Sequence, residues 1–224
     1  MGPEINIFLQ SYHAVYIEIP KVACSSFKIA LADLLGMDLG DWEGNPHVAD
    51  FPNLAWQETY DEPLFPGLFA FAFVRNPWGR LVSCYRDKIG GGVSDFTSFS
   101  IRPGVADCLA GFEEFTAGMS FEEFAMAVAS IPDTDADEHF RSQYTFIANE
   151  SREIAIDFVG RYESLTSDLD ALRQQTGLPD FTLPRAQAAQ QSVDYTDFYT
   201  PDTRDIVADR FQMDIELFGY EFGD

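Results

Sequence analysis

The sequence predicts an α/β protein with a central parallel sheet flanked by helices. Apolar, β-rich segments are each followed by a helical pattern at residues 14–35 and again at residues 68–85. A third strand and helix follow at residues 154–175. Strands that alternate with helices favour a parallel sheet covered on both faces. A length of 224 residues fits one domain, which we assign to residues 1–224.

The first strand and helix occupy residues 14–36. The segment AVYIEI at residues 14–19 is a short strand, and after Pro20 the pattern becomes helical. Ser25 and Ser26 are residue types that cap helices, so we expect them to begin this helix. Gly36 is expected to end it.

The second strand is the continuously apolar run LFAFAFV at residues 68–74, which is typical of a central strand in a parallel sheet. Asn76 is a cap residue and Pro77 suits the first helical position. Trp78, Leu81, Val82 and Tyr85 are predicted to form the buried side of the helix.

The rest of the chain contains three helices, one strand and two irregular segments. Ser120 begins a Ser-x-x-Glu capping box, residues 154–161 form the third strand, residues 167–175 a helix, and the last helix has Pro201 at its start. Residues 40–66 predict an irregular connection and residues 90–118 a surface excursion.

Composition excludes several classes of function. The formal net charge of −23 opposes binding to nucleic acid or to an anionic membrane, because both need basic surface. No window reaches the length of a membrane span. Three cysteines without paired spacing indicate a reducing compartment, so we expect a cytoplasmic protein. No cluster has metal-ligand spacing, so no metal is expected.

The loop PKVACSS after the first strand suits an oxyanion. A strand that leads into a helix presents backbone N–H groups and the positive helix end to one point. Lys21 adds a positive charge, and Ser25 and Ser26 add hydroxyl donors. A nucleoside-triphosphate loop is disfavoured because GxxxxGK[ST] is absent. The alternative is an ordinary capped helix with a surface lysine.

The segment VRNPWGRLVSCYRDK supplies a second group of donors. Arg75 ends the apolar strand, while Arg80 and Ser83 share one face of the helix by their spacing of three. A guanidinium and a hydroxyl there can converge on a second anion. The alternative is that Arg80 only solvates the helix. Two anion sites at the ends of two strands predict a ligand with two separated anionic groups.

These two segments resemble motifs of the sulfotransferases that use 3′-phosphoadenylyl sulfate (PAPS). YIEIPKVACSSFK is similar to their 5′-phosphosulfate loop and FVRNPWGRLVSCYRDK to their 3′-phosphate motif. The greatest likeness is to carbohydrate sulfotransferases of the chondroitin, dermatan and HNK-1 type. NPHVADFPNL, SFEEFAMAV, DEHFRSQY and DFVGRYESL resemble further segments of that family in the same order. The resemblance implies a three-layer, P-loop-NTPase-like sulfotransferase fold.

The resemblance also implies roles for individual residues. Lys21 is expected at the bridging oxygen of PAPS, and Arg75 with Ser83 at the 3′-phosphate, which remains on the product adenosine 3′,5′-bisphosphate. The other expected donors to the 5′-phosphate are Val22, Ala23, Cys24, Ser25 and Ser26. Tyr162 is expected on the adenine, Ser192 near the 3′-phosphate, and His139 with Arg141 at the acceptor.

His47 is the predicted general base. The chain has only His13, His47 and His139, and the resemblance favours a histidine followed by valine between the two cofactor motifs. An imidazole with a pKa near ~6.5 can accept a hydroxyl proton at neutral pH. On this assignment His47→Ala keeps cofactor binding and loses turnover. The alternative is a loop histidine with a structural hydrogen bond.

The sequence therefore predicts a sulfotransferase that moves a sulfuryl group from PAPS to a hydroxyl acceptor, for which we favour a neutral or weakly charged glycan. One alternative is a sulfotransferase of a small alcohol, phenol or lipid. Another is a module that binds a nucleotide or a sulfated ligand without chemistry. Lys21 and His47, both present, favour catalysis. The sequence does not indicate an oligomeric state.

Overall fold

A computed structural model describes residues 6–38, 46–54, 64–89, 102, 104–181, 183 and 194–224. Its contacts divide the chain into two compact units. Unit 1 comprises Met1–Arg75 and Gln143–Val193, and unit 2 comprises Asn76–Ser142 and Asp194–Asp224. The single domain over residues 1–224 stays a prediction.

The described residues contain four strands and six α-helices. The strands are β1 (Asn6–Leu9), β2 (Ala14–Ile17), β3 (Phe69–Val74) and β4 (Phe158–Arg161). The helices are α1 (Cys24–Leu34), α2 (Pro77–Lys88), α3 (Phe121–Ser130), α4 (Leu165–Thr176), α5 (Pro201–Arg210) and α6 (Gln212–Phe218). The predicted α/β class is confirmed.

Unit 1 contains the sheet, whose strand order is β1-β2-β3-β4. β2 pairs with β3 and β3 with β4 in parallel, as predicted, whereas β1 pairs with β2 antiparallel. The antiparallel edge strand was not predicted. The third strand begins at Phe158, later than predicted, because Ile154 only forms an isolated bridge with Ala148.

Aromatic side chains pack α1 onto the sheet. Phe27 of α1 stacks on Tyr16 of β2, with ring centroids 4.9 Å apart, and its centroid lies 4.8 Å from that of Phe73 on β3. All three residues are at most 1% exposed. Gly160 of β4 lies opposite Phe73 in the strand register. This packing holds α1 against β2 and β3.

Unit 2 confirms the predicted helix caps. The Asn76 side chain accepts a hydrogen bond from the Trp78 N–H, and Ser120 forms its capping box with Glu123. Trp78, Leu81 and Val82 are buried as predicted, in a core formed with α3 and α5. The predicted final helix is two helices, α5 and α6, which meet at Phe211.

Two predicted irregular segments fall partly outside the described residues. Of residues 40–66 the structure describes 46–54 and 64–66, including a 3₁₀ helix at Pro46–Val48. Of residues 90–118 it describes 102 and 104–118. Among all helices in the part of the chain that the structure describes, none has both the length and the apolar character needed to cross a membrane.

Gly160→Ala is expected to destabilise unit 1. A Cβ at this position would lie 2.3 Å from the Phe73 ring, which is 1% exposed. We expect a loss of about 1–3 kcal/mol in the free energy of unfolding, the usual cost of overpacking a core. Denaturant unfolding measures it. Gly111→Ala is the control, because a Cβ there meets nothing within 4 Å; equal stability of both variants would contradict the packing.

Candidate functional site

The loop between β2 and α1 has an unusual backbone. Lys21 and Ala23 adopt positive φ angles of 69° and 57°, although neither is glycine. Such conformations cost free energy and persist where surrounding contacts fix them, often at functional sites. Ala23 is the N-cap of α1 and makes no side-chain cap. The prediction that Ser25 and Ser26 cap this helix is therefore wrong, and both lie in its first turn.

This loop concentrates hydrogen-bond donors. The first turn of an α-helix has N–H groups without intrahelical acceptors, and its positive end attracts anions. The Ser26 N–H already donates to the Ala23 carbonyl over 2.9 Å. Ser25 is half-buried and Lys21 is half-buried, whereas Ser26 and Val22 are buried. The loop thus combines helix-end amides, hydroxyls and one ammonium group, as an oxyanion site requires.

Arg75 connects the end of β3 to this loop. One Nη of Arg75 donates to the Lys21 carbonyl over 3.3 Å, and the guanidinium carbon lies 4.4 Å from the Tyr162 ring centroid. The Gln143 side chain accepts from the Arg75 N–H over 2.9 Å and donates to its carbonyl over 2.8 Å. The structure therefore brings Arg75 into contact with the Lys21 carbonyl and the Tyr162 ring, while the roles of these residues as ligands stay predictions.

Tyr162 lies at the end of β4 with its ring partly covered by Arg75. Burial raises the pKa of the Tyr162 hydroxyl, although the Arg75 charge opposes this effect. The hydroxyl therefore stays protonated at neutral pH. Its predicted contact with adenine stays a prediction.

His47 lies beside the loop, close to the side chains of Ser25, Lys28 and Glu18. Its Nε2 is 2.7 Å from Ser25 Oγ, and its Nδ1 is 3.1 Å from Lys28 Nζ. Lys28 Nζ also forms an ion pair of 2.7 Å with Glu18, whose other oxygen is 3.9 Å from His47 Nδ1. Lys28 is 1% exposed and Glu18 8%. His47 is near the loop as predicted, and its role as the base stays a prediction.

Glu18, Lys28 and Gln143 were missed in the sequence. Glu18 carried a signal, because a carboxylate inside the apolar run AVYIEI needs a charged or hydrogen-bonding partner. The partner of Glu18 is Lys28, on the buried side of the following helix. Gln143 gave no local signal, since its contacts with Arg75 join residues 68 positions apart in the chain.

Among the residues that the structure describes, two groups of side chains have potential metal-ligand atoms within 4.8 Å of one another. Glu18, Cys24 and His47 form the first group, but the Lys28 ammonium already contacts the carboxylate and the imidazole there. Burial and the Glu18 charge also raise the pKa of the Cys24 thiol. A cation therefore already occupies the position that a metal ion would take.

The second group, Cys108, Asp137 and His139, lies in unit 2. His139 Nδ1 is 2.7 Å from Asp137 Oδ1, and burial raises the pKa of the Cys108 thiol to about 11. The thiol is therefore protonated at neutral pH, and the histidine is engaged with the aspartate. All three cysteines of the chain are free thiols.

Arg80 does not serve as an anion ligand. It is 3% exposed, and its guanidinium donates to the carbonyls of Arg141 and Glu138 over 2.7 and 3.1 Å. Burial lowers the pKa of Arg80 to about 10. A buried guanidinium needs these carbonyls as acceptors, so the alternative that Arg80 only solvates the helix is wrong, and the predicted contact of Ser83 with an anion stays a prediction.

The remaining predicted residues are not tested as ligands. Arg75 belongs to unit 1 and Ser83 to unit 2, so their joint contact with a 3′-phosphate stays a prediction. Arg141 is 6% exposed, while the His139 side chain is 21% exposed. Ser192 lies outside the described residues.

Comparison with known proteins identifies a family. The model of the sulfotransferase family matches residues 7–221. Carbohydrate sulfotransferase 14 of Mus musculus is 29% identical over 229 residues, which cover 93% of this chain and 58% of that protein. Carbohydrate sulfotransferase 11 of Mus musculus is 29% identical over 192 residues, covering 77% and 53%. Both relatives extend well beyond the matched region. No solved structure matches the chain significantly.

The same pattern holds across species. Carbohydrate sulfotransferase 14 of Homo sapiens is 29% identical over 228 residues, covering 93% of this chain and 58% of that protein. The chain therefore spans a little over half the length of these curated relatives.

Gln143→Leu is expected to lower the free energy of unfolding, because Gln143 holds the backbone of Arg75. The substitution removes both hydrogen bonds from the 0% exposed Gln143 to the Arg75 backbone. Each buried polar group that loses its partner costs about 1–3 kcal/mol, so the free energy of unfolding should fall by several kcal/mol. Denaturant unfolding provides the measurement, with Gln212→Leu on the exposed side of α6 as control. A loss no larger than that of the control would contradict this role.

Proposed function

The chain belongs to the sulfotransferase family, and from that premise we propose that it transfers a sulfuryl group from PAPS to a hydroxyl group of a carbohydrate. The names of the relatives, carbohydrate sulfotransferases 11 and 14, support the acceptor class. The reaction is proposed for the whole protein because the chain spans only part of those relatives.

The observation that carries this proposal is the glycine-free loop between β2 and α1. Lys21 and Ala23 adopt left-handed backbone conformations in this loop. The loop and the first turn of α1 together supply an ammonium group, helix-end amides and two hydroxyls. That donor set fits a phosphosulfate, which offers several anionic oxygens in a small volume. Arg75 hydrogen-bonds the Lys21 carbonyl and adds a guanidinium donor for a second, separated anion.

Residues of unit 1 have distinct roles in this proposal. When bound, PAPS supplies a sulfuryl group whose bond to the 5′-phosphate oxygen breaks as a bond to the acceptor oxygen forms. Lys21 stabilises the negative charge that develops on the bridging oxygen. Ser25, Ser26 and the loop amides hold the 5′-phosphate, and Arg75 binds the 3′-phosphate. Together they position the donor and stabilise the leaving group.

The acceptor side rests on fewer observations. The acceptor hydroxyl must lose its proton to a base, and His47 stays the sequence-based prediction for that base. His139 and Arg141, both in unit 2, stay the predicted contacts of the glycan. The net charge of −23 favours a neutral or weakly charged glycan over a highly sulfated one, since like charges repel.

We propose a cytoplasmic location on the basis of the cysteines. All three are free thiols, and none is part of a disulfide framework. Free thiols of this kind are typical of a reducing compartment. An assay in cell fractions tests the location independently of the reaction.

Lys21→Ala is expected to lower kcat by about 10²- to 10³-fold, the usual effect of removing one donor that stabilises a developing charge. The measurement is transfer of a radiolabelled sulfuryl group from PAPS to a panel of unsulfated glycans, with small alcohols and phenols alongside. Arg204→Ala, which removes a half-exposed cation from α5, is the matched control.

Undiminished transfer by Lys21→Ala would contradict the role of Lys21. Wild-type protein that binds PAPS but transfers to no acceptor would support a non-catalytic binding module instead. Transfer to phenols or alcohols but not to glycans would replace the acceptor class and leave the reaction type intact.

A further inference from the structure

Polar contacts link four side chains in the order Glu18, Lys28, His47 and Ser25. Glu18 follows β2, Lys28 and Ser25 lie on α1, and His47 lies in the 3₁₀ helix Pro46–Val48. All four belong to unit 1. The ion pair between Glu18 and Lys28 is buried, while the His47 side chain is 42% exposed. The His47 imidazole thus connects the buried Glu18–Lys28 ion pair to Ser25 in the first turn of α1.

The Lys28 ammonium determines which nitrogen of His47 carries the hydrogen. An ammonium group has three donors and no acceptor, so across the 3.1 Å contact His47 Nδ1 must accept. A neutral imidazole has one N–H, which then lies on Nε2. Across the 2.7 Å contact, this N–H donates to Ser25 Oγ. The Glu18 carboxylate holds the ammonium in place through their ion pair of 2.7 Å.

This hydrogen-bond chain sets the direction of the Ser25 hydroxyl. Because Ser25 Oγ accepts from His47, its own hydrogen points away from the ring. Successive donors polarise one another, so the chain from Lys28 through His47 strengthens Ser25 as a donor. Ser25 lies in the first turn of α1, where the proposed function places the 5′-phosphate.

We infer that Glu18 and Lys28 are positioning residues that hold His47 in its Nε2–H tautomer, and that His47 orients the Ser25 hydroxyl toward the 5′-phosphate of the sulfate donor. This inference rests on the proposed function only for the identity of the anion. The tautomer and its cause depend on unit 1 alone.

The same geometry opposes His47 as the general base. A base needs a lone pair that can reach the acceptor hydroxyl. The Nδ1 lone pair of His47 faces the Lys28 ammonium, and Nε2 carries the hydrogen donated to Ser25. Protonation at Nδ1 would also place two cationic groups 3.1 Å apart. In this arrangement both ring nitrogens of His47 are engaged, so His47 acts as the general base only if its contact with Lys28 or Ser25 changes when the ligands bind.

Nitrogen NMR of isotope-labelled histidine tests the tautomer directly. The chain has three histidines, so His13→Asn and His139→Asn variants suffice to assign the His47 signals. We expect the Nε2–H tautomer of neutral His47 in the protein without ligand. A dominant Nδ1–H tautomer would overturn the inference, whether or not the protein proves to be a sulfotransferase.

Removal of the buried ion pair tests its cause. Glu18→Gln combined with Lys28→Met replaces both charges by neutral groups of similar size, which avoids leaving one buried charge unpaired. We expect the double variant to stay folded and His47 to populate both tautomers. Lys88→Met, which removes a cation of α2, is the control and should leave the His47 signals unchanged. An unchanged tautomer in the double variant would contradict the role of Lys28.

Substitutions of His47 test its role in the reaction. A glutamine amide can accept from Lys28 and donate to Ser25 but cannot act as a base at neutral pH. We expect His47→Gln to lower kcat/KM for PAPS by at most about fivefold, the worth of one neutral hydrogen bond, and His47→Ala to weaken adenosine 3′,5′-bisphosphate binding further. Loss of about 10²- to 10⁴-fold in kcat in both variants, with unchanged bisphosphate affinity, would identify His47 as the base instead.

Discussion

The parallel pairing of β2 with β3 is the constraint on which the candidate site depends. Parallel neighbours end at the same edge of a sheet, so the loop that follows β2 and the residue that follows β3 meet there. Arg75 makes use of this proximity by donating to the Lys21 carbonyl. The sequence separates Lys21 and Arg75 by 54 positions, and the sheet register brings them into contact.

The turn between β2 and α1 shows how tertiary contacts support an unfavourable backbone. The positive φ angles of two non-glycine residues cost free energy, and interactions between neighbouring residues do not offset this cost. Arg75 bonds one of them, and Phe27 anchors the following helix on Tyr16 and Phe73. A turn fixed in this way presents its donors in one arrangement, which is what stabilisation of a developing charge requires.

Sequence reasoning succeeded where the signal was local. The Asn76 cap, the capping box of Ser120 and the apolar run of β3 depend on a few adjacent residues. It failed where the outcome depends on distant partners. Edge strand β1 is only four residues long, and the carbonyl acceptors of Arg80 lie 58 and 61 positions away. Lys21 and Arg75 were found from the local patterns after two strands, whereas the contact between them depends on the sheet register.

The central claim is that unit 1 binds a nucleotide with two separated anionic groups, and calorimetric titration tests it most directly. The purified protein is titrated with adenosine 3′,5′-bisphosphate and, under the same conditions, with adenosine 5′-monophosphate and adenosine 5′-triphosphate. We expect the bisphosphate to bind at least about tenfold more tightly than either of the other nucleotides, since one charge-assisted contact contributes about 1.5–3 kcal/mol. Preference for the triphosphate, or no binding of the bisphosphate, would contradict it.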